Sequence, residues 1–290
     1  MSTGFIANYT LFTALPTRHD AIVFDEWIHA SARDGIQASP ARRYKARHND
    51  LDSFADAIGR ARRRGARQVW ITVESVYSMD GDLAPIGDLM GLARASDAML
   101  IVDEAHATGV FGASGRGLCE GLEGEGLITL HTCGKALGAA GALVCGPSAV
   151  IDYLINTARP FIYSTAPPPL VAAVVRRALA LIDEEPWRRV RLFERAAFAR
   201  ARLRAVLGQG LTFPDSQILP LVLGTSERAL AAAAALQADG FDVRAIRPPT
   251  VPAGSSRLRL AINALHREDD IARLATRLGD IMVATAASAA

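Results

Sequence analysis

The sequence has no excess of charge of either sign: 32 basic residues against 30 acidic ones over 290 positions leave a net charge of +2. Such a balanced chain makes no demand for nucleic acid or an acidic membrane as partner. Cysteine is scarce. Cys119, Cys133 and Cys145 are odd in number and show neither Cys-x-x-Cys nor paired Cys/His spacing. That argues against a disulfide framework and a structural zinc site, and the three read as reduced thiols of a cytoplasmic protein. Cys133 reads as a buried bystander. Long apolar runs are missing as well: none approaches the ~20 residues of a membrane span. The opening Met1-Ser2-Thr3-Gly4-Phe5-Ile6-Ala7-Asn8 has no basic stretch and no apolar core, so no signal peptide is expected. Internal repeats and low-complexity tracts are absent. What remains is an ordinary globular composition, with 50% hydrophobic and 21% charged residues, long enough for one or two domains.

Short apolar runs alternate with helical patterns. Ala21-Ile22-Val23-Phe24-Asp25, Gln68-Val69-Trp70-Ile71-Thr72-Val73, Ala98-Met99-Leu100-Ile101-Val102, Leu127-Ile128-Thr129-Leu130 and Ala142-Leu143-Val144 read as strands. Residues 51–64 place Leu51, Phe54, Ile58 and Ala61 on one helical face, and a second helix fits 86–94. Most of the strands lack polar alternation, which is the pattern of a parallel sheet covered on both faces. The composition shifts at Pro167-Pro168-Pro169, which predicts a large domain over 1–168 and a smaller α+β domain over 169–290. In the second domain, helices are expected at 170–183, 187–207 and 268–282, and strands at 218–223, 241–246 and 257–262. The arginine-rich helix from Trp187 reads as a solvated face with Val190, Phe193 and Ala197 turned to the core. The alanine-rich tail after Val283 is expected to fray.

Two strand ends carry ionisable groups. One apolar run leads into Asp103-Glu104-Ala105-His106, and another into Thr132-Cys133-Gly134-Lys135-Ala136-Leu137-Gly138. Ligands of open α/β sheets gather beyond the carboxyl ends of strands. Asp-Glu-Ala-His also occurs in helicases, but those need an upstream Gly-x-x-x-x-Gly-Lys-Ser/Thr loop, and this chain has none. Gly112-Ala113-Ser114-Gly115-Arg116-Gly117 has the dinucleotide fingerprint's spacing reversed and reads as a structural loop. A lysine at a strand end suits Schiff-base chemistry. Pyridoxal phosphate (PLP) needs such a lysine, an acid at its pyridine nitrogen, hydrogen bonds at its phenolate oxygen and an anion cradle. Lys135, Asp103, His106, Ser78 and Thr132 are of the right types.

These residues, with Ser78-Met79-Asp80-Gly81-Asp82, Gly115-Arg116-Gly117, Tyr163-Ser164-Thr165 and the segment from Arg247-Pro248-Pro249-Thr250 to Arg257-Leu258-Arg259, carry a resemblance over nearly the whole chain. The sequence resembles the α-oxoamine synthases, PLP enzymes of the aspartate aminotransferase-like fold (fold type I), and looks most like their biotin-pathway branch. The resemblance implies that Lys135 holds the cofactor and acts as acid and base, with His29 and His106 as its catalytic companions. It implies that Asp103 pairs with the pyridine nitrogen, that His106 and Ser78 bond the phenolate oxygen, and that His29 stacks on the ring. Gly4, Phe5 and Thr132 would hold the phosphate, and Thr165 would reach the phosphate of a partner subunit in a homodimer. Arg259 and Thr250 are the substrate-binding candidates, with Arg257 as a second choice for the carboxylate. L-Alanine and pimeloyl-CoA are the implied substrates; a different amino acid and acyl-CoA are the alternative within the family. The resemblance sets Met1 at a point inside the family's large domain. A relative that serves only as a binding or assembly partner is therefore the competing reading.

Overall fold

The computed structural model describes residues 1–122 and 124–287. The chain forms two compact units, Met1–Tyr77 with Leu83–Pro186, and Ser78–Asp82 with Trp187–Ala290.

In the first unit, strands β1 (Ala21–Asp25), β2 (Arg42–Ala46), β3 (Val69–Glu74), β4 (Ala98–Asp103), β5 (Leu127–Thr132) and β6 (Ala142–Cys145) form one sheet of order β2-β1-β3-β4-β5-β6. It is parallel except for β6, which runs antiparallel to β5. Helices α1 (Gly4–Ala14), α2 (Ala30–Ala38), α3 (Leu51–Arg63), α4 (Ile86–Ala95), α5 (Ser148–Thr157), α6 (Arg159–Ile162) and α7 (Pro169–Glu184) complete it. Successive strand residues face opposite sides. Ile22, Trp70, Ile101 and Ile128 pack with Leu11, Phe12 and Ile36 of α1 and α2. Val23, Ile71, Leu100 and Val102 pack with Phe54, Ile58 and Leu89 of α3 and α4. Two buried faces explain why the strands are continuous apolar runs.

Strand β2 was not anticipated. It is an edge strand whose Arg42, Arg43 and Lys45 are exposed while Tyr44 and Ala46 are buried. Charged edges of this kind guard against strand addition and conceal the apolar signal. The division between units falls at Pro186, so α7 belongs by its packing to the first unit rather than lying beyond the boundary expected at 168. Its Val175 and Ile182 meet Cys133 and Leu137. Cys133 is thus a buried packing residue.

The second unit holds α8 (Trp187–Leu207), β7 (Ile218–Gly224), α9 (Ser226–Ala238), β8 (Arg244–Ile246), β9 (Ser256–Ala261) and α10 (Glu268–Ala287), with an antiparallel sheet of order β7-β9-β8. The core stripe of α8 is Leu192, Ala196, Ala199 and Leu203, spaced as one helical face. The stripe expected from the sequence is corrected: Val190 and Ala197 are exposed and Phe193 is half-buried. Several arginines of α8 are engaged: Arg195 pairs with Glu268, and Arg200 lies 3.6 Å from Asp215. The expected fray after Val283 falls partly outside the described residues; α10 continues to Ala287.

Candidate active site

The site is built at the carboxyl ends of β4 and β5, with α1 and α2 beside them. Strand β4 ends at Asp103 and turns at once through Glu104-Ala105-His106. Strand β5 ends at Thr132, three residues before Lys135. The turns bring Lys135 Nζ to 2.8 Å from His106 Nε2. An ammonium can only donate, so a charged Lys135 requires Nε2 of His106 to be the bare nitrogen.

Asp103 is buried and held at both oxygens. Its Oδ1 accepts from the Ala105 amide at 3.0 Å, and its Oδ2 accepts from Asn8 Nδ2 at 2.7 Å. Asn8 Nδ2 also donates to Ser31 Oγ at 3.0 Å, and Ser31 Oγ lies 2.8 Å from His29 Nδ1. A polar chain therefore runs from His29 through Ser31 and Asn8 to Asp103. It depends on close approach of α1 and α2, which Gly35 permits: a Cβ there would lie 2.9 Å from Tyr9 Cα. His29 is the N-cap of α2 and accepts from the Ser31 amide. Sequence reasoning missed Asn8 and Ser31. Their signal was positional: Asn8 stands one helical turn after Gly4, and Ser31 two residues after His29.

Burial pulls the His29 imidazole below its ordinary value of about 6.5; Asp103 opposes the shift and Lys135 adds to it. Burial lowers His131 in the same direction. As pH falls below about 6.5 the unfolded chain takes up these protons first, so stability present above that value is lost on acidification. Melting temperatures of the cofactor-free chain are expected to fall between about pH 7 and pH 5.5, and less steeply in His29→Gln. Parallel curves for the two proteins would contradict this account.

Helix α1 opens at Gly4, where Thr3 Oγ1 accepts from the Ile6 amide. First-turn amides have no intrahelical acceptor and favour anions. A Cβ on Gly4 would lie 3.1 Å from Thr132 Oγ1. The bare Gly4 backbone thus stands against the Thr132 hydroxyl and leaves the space that a side chain would fill. Together with a lysine and a fixed carboxylate, this cradle fits PLP. Asp103 Oδ2 already accepts from Asn8, but a carboxylate oxygen has a second lone pair for a ring N–H.

Phe5 is exposed on α1, and Thr165 lies in the exposed stretch after α6. Ser78, Thr250, Arg257 and Arg259 lie in the second unit. There Arg257 is buried in an ion pair with Asp80, which gives it a structural role. Arg259 donates through Nε to the Ser78 carbonyl at 2.6 Å, and burial draws its guanidinium below its usual value. Thr250 sits in a turn whose amide donates to the Arg247 carbonyl at 3.0 Å. A cavity of about 770 Å³ in the first unit is lined by Leu127, Thr129, His131, Leu143, Cys145 and Ile182 among others. It opens on the side of β5 and β6 away from α1. None of Asp103, His106 and Lys135 lines it, so the chemistry described above lies elsewhere.

The aminotransferase class I and II family matches residues 1–278. Among curated proteins, the 8-amino-7-oxononanoate synthase of Anaeromyxobacter dehalogenans (strain 2CP-C) is 44% identical over 282 residues, which cover 97% of this chain and 70% of that protein. Among solved structures, serine palmitoyltransferase from S. paucimobilis with bound PLP–myriocin aldimine aligns with a TM-score of 0.91 at 30% identity, over 99% of this chain and 72% of that one. The 8-amino-7-oxononanoate synthase from Francisella tularensis aligns with a TM-score of 0.83 at 28% identity, over 98% of this chain and 82% of that one.

Proposed function

Since the chain belongs to the class I and II aminotransferase family, we propose that it is a PLP-dependent C-acyltransferase that condenses L-alanine with pimeloyl-CoA to give 8-amino-7-oxononanoate, CoA and carbon dioxide. Its sheet order and its structural likenesses are those of fold type I PLP enzymes. The observation that carries the proposal is the 2.8 Å approach of Lys135 to His106 beside the doubly held Asp103, in a chain 44% identical to a curated synthase of this activity. This grouping supports a catalytic role over one of assembly alone.

Bound PLP would supply a protonated pyridine ring that accepts the electron pair left at the substrate Cα. Asp103 would keep the proton on the ring nitrogen. Lys135 would hold the cofactor's aldehyde carbon and would serve as the acid and base that moves the proton at Cα. His106 and Ser78 would bond the phenolate oxygen, and His29 would lie against the ring. The Gly4 and Phe5 amides with Thr132 Oγ1 would hold the phosphate. Thr165 would serve the partner subunit's phosphate in a homodimer. Arg259 would receive the substrate carboxylate, for which a planar two-donor fork is suited, with Thr250 as the second substrate-binding residue of that sequence motif. No helix among the described residues is long and apolar enough to cross a membrane.

The test is CoA release and product mass from the chain loaded with PLP and supplied with pimeloyl-CoA. L-Alanine is expected to support turnover above glycine and L-serine. A chain that binds PLP yet releases no CoA with any of the three would overturn the proposal. Preference for L-serine would instead align it with the serine palmitoyltransferases.

A further inference from the structure

Glu104 follows Asp103 directly and takes no part in the site described so far. It is fully buried. Its Oε2 accepts from Ser75 Oγ at 2.6 Å and from the Leu118 amide at 3.1 Å, and its Oε1 accepts from the Cys119 amide at 2.6 Å. Its backbone is as fully engaged. The amide donates to the Leu130 carbonyl of β5 at 2.8 Å. The carbonyl accepts from the Ala107 and Thr108 amides and from Thr108 Oγ1 at 2.8 Å. Burial, and after it this carboxylate, pushes the Cys119 thiol far up, which keeps it a neutral neighbour.

A buried carboxylate is costly unless donors surround it. Here they do, and the surrounding chain is shaped for it. Gly117 has a φ of +110°, and a Cβ there would lie 2.6 Å from the Glu104 carboxyl carbon. Only glycine lets the 117–119 backbone close on the carboxylate. An isosteric glutamine would turn an NH₂ group toward these N–H donors. One side chain thus ties together Ser75 just after β3, the loop at 117–119 and the turn at 104–108, which follows Asp103 directly and has His106 at its middle.

We propose that Glu104 is a positioning residue: by clamping Ser75 and the 117–119 loop to the 104–108 turn, it fixes where Asp103 and His106 stand relative to Lys135. The inference rests on the PLP reading given above. Misplacing catalytic groups by about 1 Å costs roughly a hundredfold in rate. Glu104→Gln is expected to lower kcat about a hundredfold with little change in KM for the amino acid. It should also weaken PLP binding, read by fluorescence, and move the midpoint of the pH titration of the bound cofactor's visible band. Ser75→Ala removes one donor and should move the same readouts in the same direction by less.

A melting temperature that falls in both variants while PLP affinity, band midpoint and kcat stay parental would make the clamp structural only and overturn the proposal. If Glu104→Gln does not fold, Ser75→Ala decides: a parental spectrum and kcat would overturn the proposal. An unsubstituted chain that binds no PLP would overturn the proposed function and this inference together, and would do so before any variant is compared.

Discussion

Lys135→Ala is expected to lower turnover by at least about a thousandfold while leaving the chain folded. The side chain is exposed, so its removal opens no cavity in either apolar core. Two losses coincide. The covalent hold on the cofactor goes, and so does the proton carrier at the substrate Cα. General acid–base catalysis alone accounts for about 10²–10⁴, and the covalent role adds to that. Visible absorbance after desalting separates the two: the alanine variant should lose the bound cofactor's characteristic band, or retain a band that the amino acid alters only slowly. His106 should be left without its 2.8 Å partner, so His106→Gln in the Lys135→Ala background should cost far less than it does in the parent chain. Non-additivity of this kind marks residues that act as a unit. Full turnover by Lys135→Ala would remove the lysine from the mechanism and the PLP reading with it.

Some of this architecture could be read directly from the residues. The central strands β1, β3, β4 and β5 are apolar on both faces because helices cover both, and a run of that kind stands out in any sequence. The strand-end position of Asp103 and Lys135 followed from the same runs. Elements whose character is set by their neighbours did not stand out. Strand β2 is half charged because it lies at an edge. Helix α1 is apolar around most of its circumference and shows little amphipathic pattern. Helix α9 is a polyalanine stretch whose buried Ala229, Ala232, Ala233 and Leu236 give weak contrast with its exposed face. In α8, arginines and apolar residues alternate closely enough for two stripes to fit, and only the packing selects Leu192, Ala196, Ala199 and Leu203. The site divides in the same way. Groups with distinctive chemistry at the strand ends, Lys135, Asp103 and His106, stood out as candidates by residue type, and His29 only through the resemblance. Asn8 and Ser31 are common polar residues far apart in sequence, and their meaning comes only from the approach of α1 to α2 that brings them to Asp103 and His29. The resemblance ranked Arg259 ahead of Arg257 for the substrate carboxylate, and what the residues alone could not show is that Arg257 is engaged in an ion pair with Asp80.

Asp103→Asn should give the second large effect, and its signature differs from that of the lysine variant. The substitution keeps size and shape but removes the charge that would keep a proton on the cofactor's ring nitrogen. Hydrogen bonds to charged groups contribute about 1.5–3 kcal/mol, so PLP affinity is expected to fall roughly tenfold to a hundredfold. Turnover should fall further, because an unprotonated ring is a poor acceptor for the Cα electron pair. The fold should weaken too. Asp103 accepts from both the Ala105 amide and Asn8 Nδ2, and an asparagine can offer its one oxygen to only one of these directions. The other donor then meets an NH₂ group, a mismatch of about 1–3 kcal/mol. A lower melting temperature alone would therefore not establish the role of Asp103. The discriminating quantity is the rise in melting temperature on adding PLP, which follows RT ln(1 + [L]/Kd) and depends on affinity for the folded state. At a fixed PLP concentration that rise should be large in the parent and much smaller in Asp103→Asn. Asn8→Ala, which removes a donor to Asp103 while keeping the charge, should lie between them. An undiminished PLP-dependent rise in Asp103→Asn would mean that the carboxylate serves only to join α1 to the end of β4, and the ring nitrogen would need another partner.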